Sequence, residues 1–135
     1  MNAEKTGAGR TIVVADDDAG IVLFLTSYLE SLGYKTISAA DGDAAMKAIV
    51  EHHPDLAILD ISMPGASGIV LTSQLRAHPD ARLRKIPIII LTAKSDTRHE
   101  AYSSGAGANA FIAKPVAPDD LAEKIKGLLP PARRR

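Results

Sequence analysis

The sequence predicts an α/β fold, built on a doubly wound five-stranded parallel sheet with helices on both faces. Short apolar runs followed at once by a polar residue recur at residues 12–15, 56–59, 88–91 and 110–113. Runs of this length and composition are typical of buried strands. Segments with helical apolar spacing separate them, and this alternation favours a parallel sheet covered on both faces. Right-handed crossovers leave few topologies for such a sheet.

Length and composition narrow the class of protein. The 135 residues fit one domain, predicted at 11–129 between a flexible N-terminal tail at 1–10 and a C-terminal tail at 130–135. The 16 basic and 16 acidic side chains balance, which argues against direct binding of nucleic acid or of a membrane surface. Cysteine is absent, and no apolar stretch approaches the roughly 18 residues of a membrane span or forms a signal-peptide core. We therefore expect a cytoplasmic protein.

The first strand and helix carry clear boundary signals. The strand is predicted at 11–15. Asp18 can cap a helix that runs to Leu32 and stops at Gly33. Residues at 3.6-residue spacing predict the core face of this helix, namely Ile21, Phe24, Leu25, Tyr28, Leu29 and Leu32.

The later elements follow from similar signals. Helix two begins after Asp41-Gly42 and ends before Pro54. Helix three ends at His78-Pro79, and a charged loop then reaches Lys85. The remaining predicted bounds are strand two at 35–38, strand three at 56–59, helix three at 67–77, strand four at 87–91, helix four at 96–104, strand five at 110–113 and helix five at 118–128.

Polar side chains stand at the ends of four predicted strands. Asp16-Asp17 follow strand one, Asp60 follows strand three, Thr92 follows strand four and Lys114 follows strand five. Groups just past the carboxyl ends of parallel strands converge in one crevice, so these residues can form a single site. Three carboxylates, a hydroxyl and an ammonium suit a divalent cation together with a phosphoryl group.

This constellation resembles the receiver domain of two-component response regulators, the CheY-like family. The matching elements are Asp16-Asp17, the segment LDISMPGASG at 59–68, Thr92-Ala93 and Lys114-Pro115. The resemblance covers about residues 11–129. It implies the flavodoxin-like strand order 2-1-3-4-5 and a cis Lys114-Pro115 bond.

The resemblance also implies a metal site. Asp17 and Asp60, with the backbone carbonyl of Ser62, would bind Mg²⁺ (or Mn²⁺) directly, and Asp16 would act mainly through a bound water. A third aspartate, Asp18, makes the register ambiguous by one position. The phase of the strand favours Asp16-Asp17 as the metal pair and Asp18 as a helix cap.

The same resemblance implies roles in phosphoryl chemistry. Asp60 would be the phosphoacceptor, with Thr92 and Lys114 on the phosphoryl oxygens. Phe111 would be the switch residue coupled to Thr92, and plain core packing is its alternative role. Ser62 and Lys94 stand where the family tunes the lifetime of the phosphate. Neither can position the hydrolytic water as an acidic or amide residue would, so we expect slow to moderate self-dephosphorylation.

The function implied is a signalling switch rather than an enzyme. It would accept a phosphoryl group from a histidine kinase or a histidine phosphotransfer protein and assist its own Mg²⁺-dependent phosphorylation and dephosphorylation. It would signal to a downstream protein through the face of helix four, strand five and helix five. Leu23 lies opposite the core face of helix one, so it is either an ordinary exposed leucine or part of the surface on which the histidine partner docks.

Two alternatives remain open on the sequence. A Mg²⁺-dependent phosphatase of the haloacid-dehalogenase type also uses an aspartyl nucleophile at a strand end. It would need a second aspartate where Ser62 stands. The chain could also be the receiver part of a larger regulator with a DNA-binding or cyclase output.

Overall fold

The computed structural model describes residues 9–93 and 106–129. Their strands are β1 (Thr11–Ala15), β2 (Lys35–Ala39), β3 (Leu56–Asp60), β4 (Ile88–Thr92) and β5 (Ala110–Ala113). Their helices are α1 (Ala19–Ser31), α2 (Gly42–His52), α3 (Gly68–Arg76), a short α4 (Ala81–Arg84) and α5 (Pro118–Leu128). The strands form one parallel sheet in the order β2-β1-β3-β4-β5. The predicted fold class and strand order are confirmed.

Helices cover both faces of this sheet. Successive side chains of a strand point to opposite faces, so Val13 and Ala15 pack with α2 and α3, whereas Ile12 and Val14 pack with α1 and α5. The central strands β3 and β4 are buried along their whole length. Burial on both faces explains why their sequences are almost continuously apolar instead of alternating.

The register of the sheet brings the strand ends level. Ala15 of β1 lies beside Leu59 of β3, so the next residues, Asp16 and Asp60, are neighbours at the carboxyl edge. Lys114 directly follows β5 at the same edge. This convergence confirms the geometric expectation for parallel strands.

Side-chain caps start the first three helices within one residue of the predicted positions. Asp18 accepts hydrogen bonds from the backbone N–H groups of Gly20 and Ile21, which makes it the cap of α1. Asp41 caps α2 and Ser67 caps α3 in the same way. The cap role of Asp18 agrees with the register that places the metal pair at the two preceding residues.

The charged loop before Lys85 differs from the prediction because it contains the short helix α4. Asp80 accepts a hydrogen bond from the backbone N–H of Arg82, and Leu83 is buried against the core. The Asp80 cap and the burial of Leu83 thus stabilise a short helix that the charged sequence does not predict. The strands also differ slightly, because β2, β3 and β4 each extend one residue further, to Ala39, Asp60 and Thr92.

Phe24 was predicted in the core face of α1, and this is wrong. Leu25 and Leu29 are fully buried, whereas Phe24 is 45% exposed. Its ring borders a cavity of about 660 Å³ between α1 and the segment that follows β5. Leu23 is 67% exposed, as its phase on the helix predicts.

Some predictions fall outside the described residues. These are helix four at 96–104, Lys94, the C-terminal tail at 130–135 and all but the last two residues of the N-terminal tail. Among the helices in 9–93 and 106–129, none is both long enough and apolar enough to cross a lipid bilayer.

Candidate functional site

Three carboxylates gather at the carboxyl edge of the sheet. Asp16, Asp17 and Asp60 each place one oxygen within 4.8 Å of the others. Asp16 and Asp60 are buried, and Asp17 is exposed. Two like charges about 4 Å apart repel by about 4 kcal/mol at an effective dielectric near 20. The cluster therefore favours a cation.

Lys114 supplies one positive charge to this cluster. Its Nζ lies 3.0 Å from Asp16 Oδ2 and 3.1 Å from Asp60 Oδ1. Burial opposes the charged form of Lys114, but the close contacts with the two aspartates and their negative charges outweigh burial and raise its pKa. The expected cis bond between Lys114 and Pro115 is present and lies directly after the ammonium-bearing residue.

The pKa of Asp60 is also raised, but for a carboxyl group this disfavours the charged form. Its pKa is raised, chiefly by burial and further by the charge of Asp16, against the opposing effects of Lys114 and of the Ser62 backbone N–H. Because one ammonium faces two buried carboxylates, the charged form is favoured in Lys114 and disfavoured in Asp60. The cation is strongly favoured in its charged form, while each carboxylate receives only part of the compensation.

Asp16 retains an incompletely satisfied oxygen. Its Oδ1 accepts a hydrogen bond from the backbone N–H of Asp18. Within the described residues, Oδ2 has the ion contact with Lys114 but no partner with hydrogen-bond geometry. Leaving a buried carboxylate oxygen unsatisfied is costly. A metal-bound water at this position would satisfy it.

The oxygen-only donor set suits a hard divalent ion. Mg²⁺ takes one or two protein carboxylates and keeps several waters, and Mn²⁺ accepts similar ligands. Asp17 and Asp60, with the carbonyl of Ser62 on the loop after β3, could hold such an ion. Asp16 could reach it through water. The residues present therefore fit the metal implied by the sequence.

Thr92 and Phe111 lie on the two strands that flank the site. Thr92 is the buried last residue of β4, and its backbone carbonyl accepts a hydrogen bond from the Lys114 N–H at 2.7 Å. Phe111 is partly buried and packs against the core on the α2 and α3 side of the sheet. This placement is compatible with core packing and with a switch role.

Two sets of contacts between elements were not predicted from the sequence. The first turn of α2 packs against the loop after Asp60, and the only local signal is the glycine at Gly42. Arg76 joins the ends of several elements at the opposite edge of the sheet. No sequence spacing identifies the acceptors of its guanidinium.

Comparison with known proteins agrees with this geometry. The family model of the response regulator receiver domain matches residues 12–126. The phosphate regulon transcriptional regulatory protein PhoB of Pseudomonas aeruginosa is 37% identical over 121 residues, which cover 90% of this chain and 52% of PhoB. The probable transcriptional regulator ycf27 of Porphyridium aerugineum is 38% identical over 118 residues, covering 87% of this chain and 47% of that protein. The chain thus spans about half the length of these curated relatives.

A solved structure gives the same result for the fold. The signal receiver domain of a signal transduction histidine kinase from Syntrophus aciditrophicus superposes with a TM-score of 0.83 at 35% sequence identity. The match covers 94% of this chain and 95% of that structure. Nearly all of the chain is therefore accounted for by one receiver-like domain.

Proposed function

Because the chain belongs to the response regulator receiver domain family, we propose that it is a phosphoacceptor of a two-component or phosphorelay signalling system, with Asp60 as the acceptor. The observation that carries this proposal is the convergence of three carboxylates and Lys114 at one edge of the sheet. Receiver domains are signalling switches. The partner would be a histidine kinase or a histidine phosphotransfer protein.

In the proposed transfer, one Asp60 carboxylate oxygen attacks the phosphorus of a phosphohistidine. The new O–P bond forms as the N–P bond breaks, and the imidazole leaves with the bonding electron pair and takes up a proton. Asp17, Asp60 and the Ser62 carbonyl would hold a divalent ion, which would supply positive charge to neutralise the phosphoryl oxygens. Lys114 neutralises another oxygen from the β5 side. These residues thus provide the positioning and charge compensation on which phosphoryl transfer depends.

Phosphorylation would then change the partners of Lys114. The aspartyl phosphate presents new acceptor oxygens, so the ammonium can turn from the carboxylates to the phosphoryl group. The Thr92 hydroxyl would donate to the same group. Movement at Thr92 would be transmitted to Phe111 and so to the output face that includes β5 and α5. Ser62 and Lys94 would set the lifetime of the phosphate.

The phosphatase alternative is not favoured. The family match assigns the chain to receiver domains, and Ser62 stands where a haloacid-dehalogenase type enzyme needs its second aspartate. The relatives named as transcriptional regulators support a place for this chain as the receiver part of a longer regulator.

The proposed acceptor can be tested directly. Incubation with Mg²⁺ and acetyl phosphate should add one phosphoryl group, located at Asp60 by mass spectrometry. Asp60→Asn should abolish the adduct. Asp119→Asn, at the exposed start of α5, is the matched control and should be labelled like the wild type. Undiminished labelling of Asp60→Asn would contradict the proposal.

A further inference from the structure

The loop after Asp60 is held by the first turn of α2. We define the acceptor loop as residues 61–67, between β3 and α3. The backbone N–H of Gly42 donates a hydrogen bond to the Pro64 carbonyl at 2.9 Å, and the N–H of Ala66 donates to the same carbonyl at 3.1 Å. The start of one helix and the middle of the loop therefore meet through backbone groups.

Gly42 allows an approach that a side chain would prevent. A Cβ atom built at Gly42 would lie 2.3 Å from the carbonyl oxygen and 2.5 Å from the nitrogen of Ala66. Real Cβ contacts essentially never fall below 3.0 Å. Both atoms belong to backbone, so no side-chain rotation can relieve the overlap. Any residue other than glycine at this position must separate α2 from the acceptor loop.

The far end of the acceptor loop is constrained as well. The Gly68 N–H donates to the Ile61 carbonyl at 3.3 Å, and a Cβ at Gly68 would lie 2.5 Å from the Asp60 carbonyl oxygen. Between the two anchors lies Ser62, whose backbone N–H interacts with the Asp60 carboxylate. A shift of the loop at Ala66 would therefore be transmitted over a few residues to Ser62 and Asp60.

A side chain at Gly42 would displace the acceptor loop rather than α2. Ala45 and Ile49 of α2 are fully buried, and Asp41 caps the helix through the N–H of Ala44. Three residues of the acceptor loop are exposed, namely Ser62, Pro64 and Gly65. Moving α2 would disturb the core, whereas moving the loop would mainly disturb solvent contacts.

We propose that Gly42 is a positioning residue for the phosphoacceptor site, because the first turn of α2 sets the place of the acceptor loop and hence of Ser62 and Asp60. This inference rests on the proposed function and adds a residue that lies outside the site. Its substrate class is that of the site, a divalent cation with a phosphoryl group. A displacement of about 1 Å can cost about 100-fold in rate where geometry limits the reaction.

The test compares Gly42→Ala with the wild type in two measurements. Titration with Mg²⁺, followed by amide chemical shifts, should give a Kd at least about 10-fold higher for the variant, and labelling by acetyl phosphate should slow by about 10- to 100-fold. Gly127→Ala in α5 is the matched control, since a Cβ there meets nothing within 4 Å. It should leave both values unchanged.

The outcomes separate positioning from simple destabilisation. A folded Gly42→Ala protein with the Mg²⁺ affinity and labelling rate of the wild type would overturn the inference, however much its Tm falls. If Gly42→Ala does not fold, Gly65→Ala decides. Gly65 lies at a neighbouring contact of the same interface between α2 and the loop: its φ is +88°, and a Cβ there would lie 3.3 Å from Asp43 Oδ2. Weaker Mg²⁺ binding would then support the inference, and unchanged binding would overturn it. A wild type that is never labelled would instead refute the proposed function.

Discussion

Lys114 faces two buried carboxylates with a single positive charge, and this imbalance governs the behaviour of the site without metal. Its Nζ lies about equally close to Asp16 and Asp60, at 3.0 and 3.1 Å. Neither carboxylate is fully compensated, and Asp17 adds a third negative charge. Electrostatic strain of this kind is typical of a site that binds a cation or an electrophile. The uncompensated repulsion lowers the stability of the metal-free protein.

Asp60→Asn should therefore stabilise the metal-free protein at neutral pH. The pKa of Asp60 is raised in the fold, chiefly by burial. A carboxyl group with a raised pKa stabilises the fold below its unfolded pKa, about 3.9. This contribution is lost as the pH rises through the folded value. Urea unfolding in chelator should show the variant as more stable at pH 7, with the difference vanishing near pH 3.

A variant at Asp17 and the addition of Mg²⁺ test the same electrostatic effect. Asp17→Asn removes the same charge from an exposed position, so its gain in stability should be smaller because solvent screens it. Saturating Mg²⁺ should reverse the order, since the ion stabilises the wild type by binding only the folded state. Equal stability of Asp60→Asn and wild type at every pH would contradict the electrostatic account.

Among the secondary-structure elements, those at the edge of the sheet opposite the site are joined by hydrogen bonds from Arg76. From the last turn of α3 it donates to the carbonyls of Gly107 and Arg84 and to the side-chain oxygen of Asn109, at 2.9 to 3.0 Å. The same Asn109 oxygen accepts a hydrogen bond from the backbone N–H of Ile88. These bonds join α3 and α4 to the starts of β4 and β5. Burial lowers the pKa of Arg76, but a guanidinium keeps its charge.

Arg76→Lys should destabilise the fold without affecting the site. A lysine ammonium lacks the planar fork that serves three separate acceptors. The contact with the Gly107 carbonyl is partly buried, and leaving such an acceptor unpaired costs roughly 1–3 kcal/mol. Chemical denaturation should report this loss, whereas Mg²⁺ affinity should not change, since Ile88 and Asn109 lie at the amino edge of the sheet. Arg82→Lys, at an exposed position of α4, should shift stability by less than about 0.5 kcal/mol. Equal effects of the two substitutions would refute the role of Arg76.

At the scale of the whole molecule, α1 separates two openings that both reach the site. One cavity, of about 660 Å³, is bordered by Phe24 and Lys114. The other, of about 460 Å³, is bordered by Leu23 and Asp17. Leu23 and Phe24 thus expose apolar side chains on the two sides of α1, next to Asp17 and Lys114 respectively. This arrangement is compatible with docking of a histidine-bearing partner along α1.

Leu23→Ala tests that docking role. Leu23 is 67% exposed, so its truncation should change the free energy of unfolding by less than about 0.5 kcal/mol. Phosphoryl transfer from a phosphohistidine protein should slow, because the contact loses apolar area. Labelling by acetyl phosphate should be unaffected, because a small donor needs no docking surface.

A matched control locates the effect on α1. Val50 in α2 is 39% exposed and lies in the second half of that helix, away from the carboxyl edge. Val50→Ala should leave transfer from both donors unchanged. Equal transfer from the protein donor to wild type and Leu23→Ala would show that Leu23 is an ordinary exposed leucine.

Much of the fold and most of the site follow from signals local in the chain. Apolar runs, the aspartate cap at Asp18 and the serine cap at Ser67 each act within a few residues, so the elements and their starts can be predicted from them. The family resemblance added the strand order. The site residues Asp16, Asp60 and Lys114 could be predicted to meet because parallel strands end at one edge.

The features that the sequence did not predict depend on contacts between residues distant in the chain. Helical spacing places Phe24 on an apolar face, but the neighbouring elements leave it 45% exposed. The acceptors of Arg76 and the packing of Gly42 against Ala66 arise across the folded molecule. Local propensity carries no information about which surfaces meet or how closely. The residues of the candidate site could therefore be predicted from the sequence, whereas close packing of distant elements sets the distances between them.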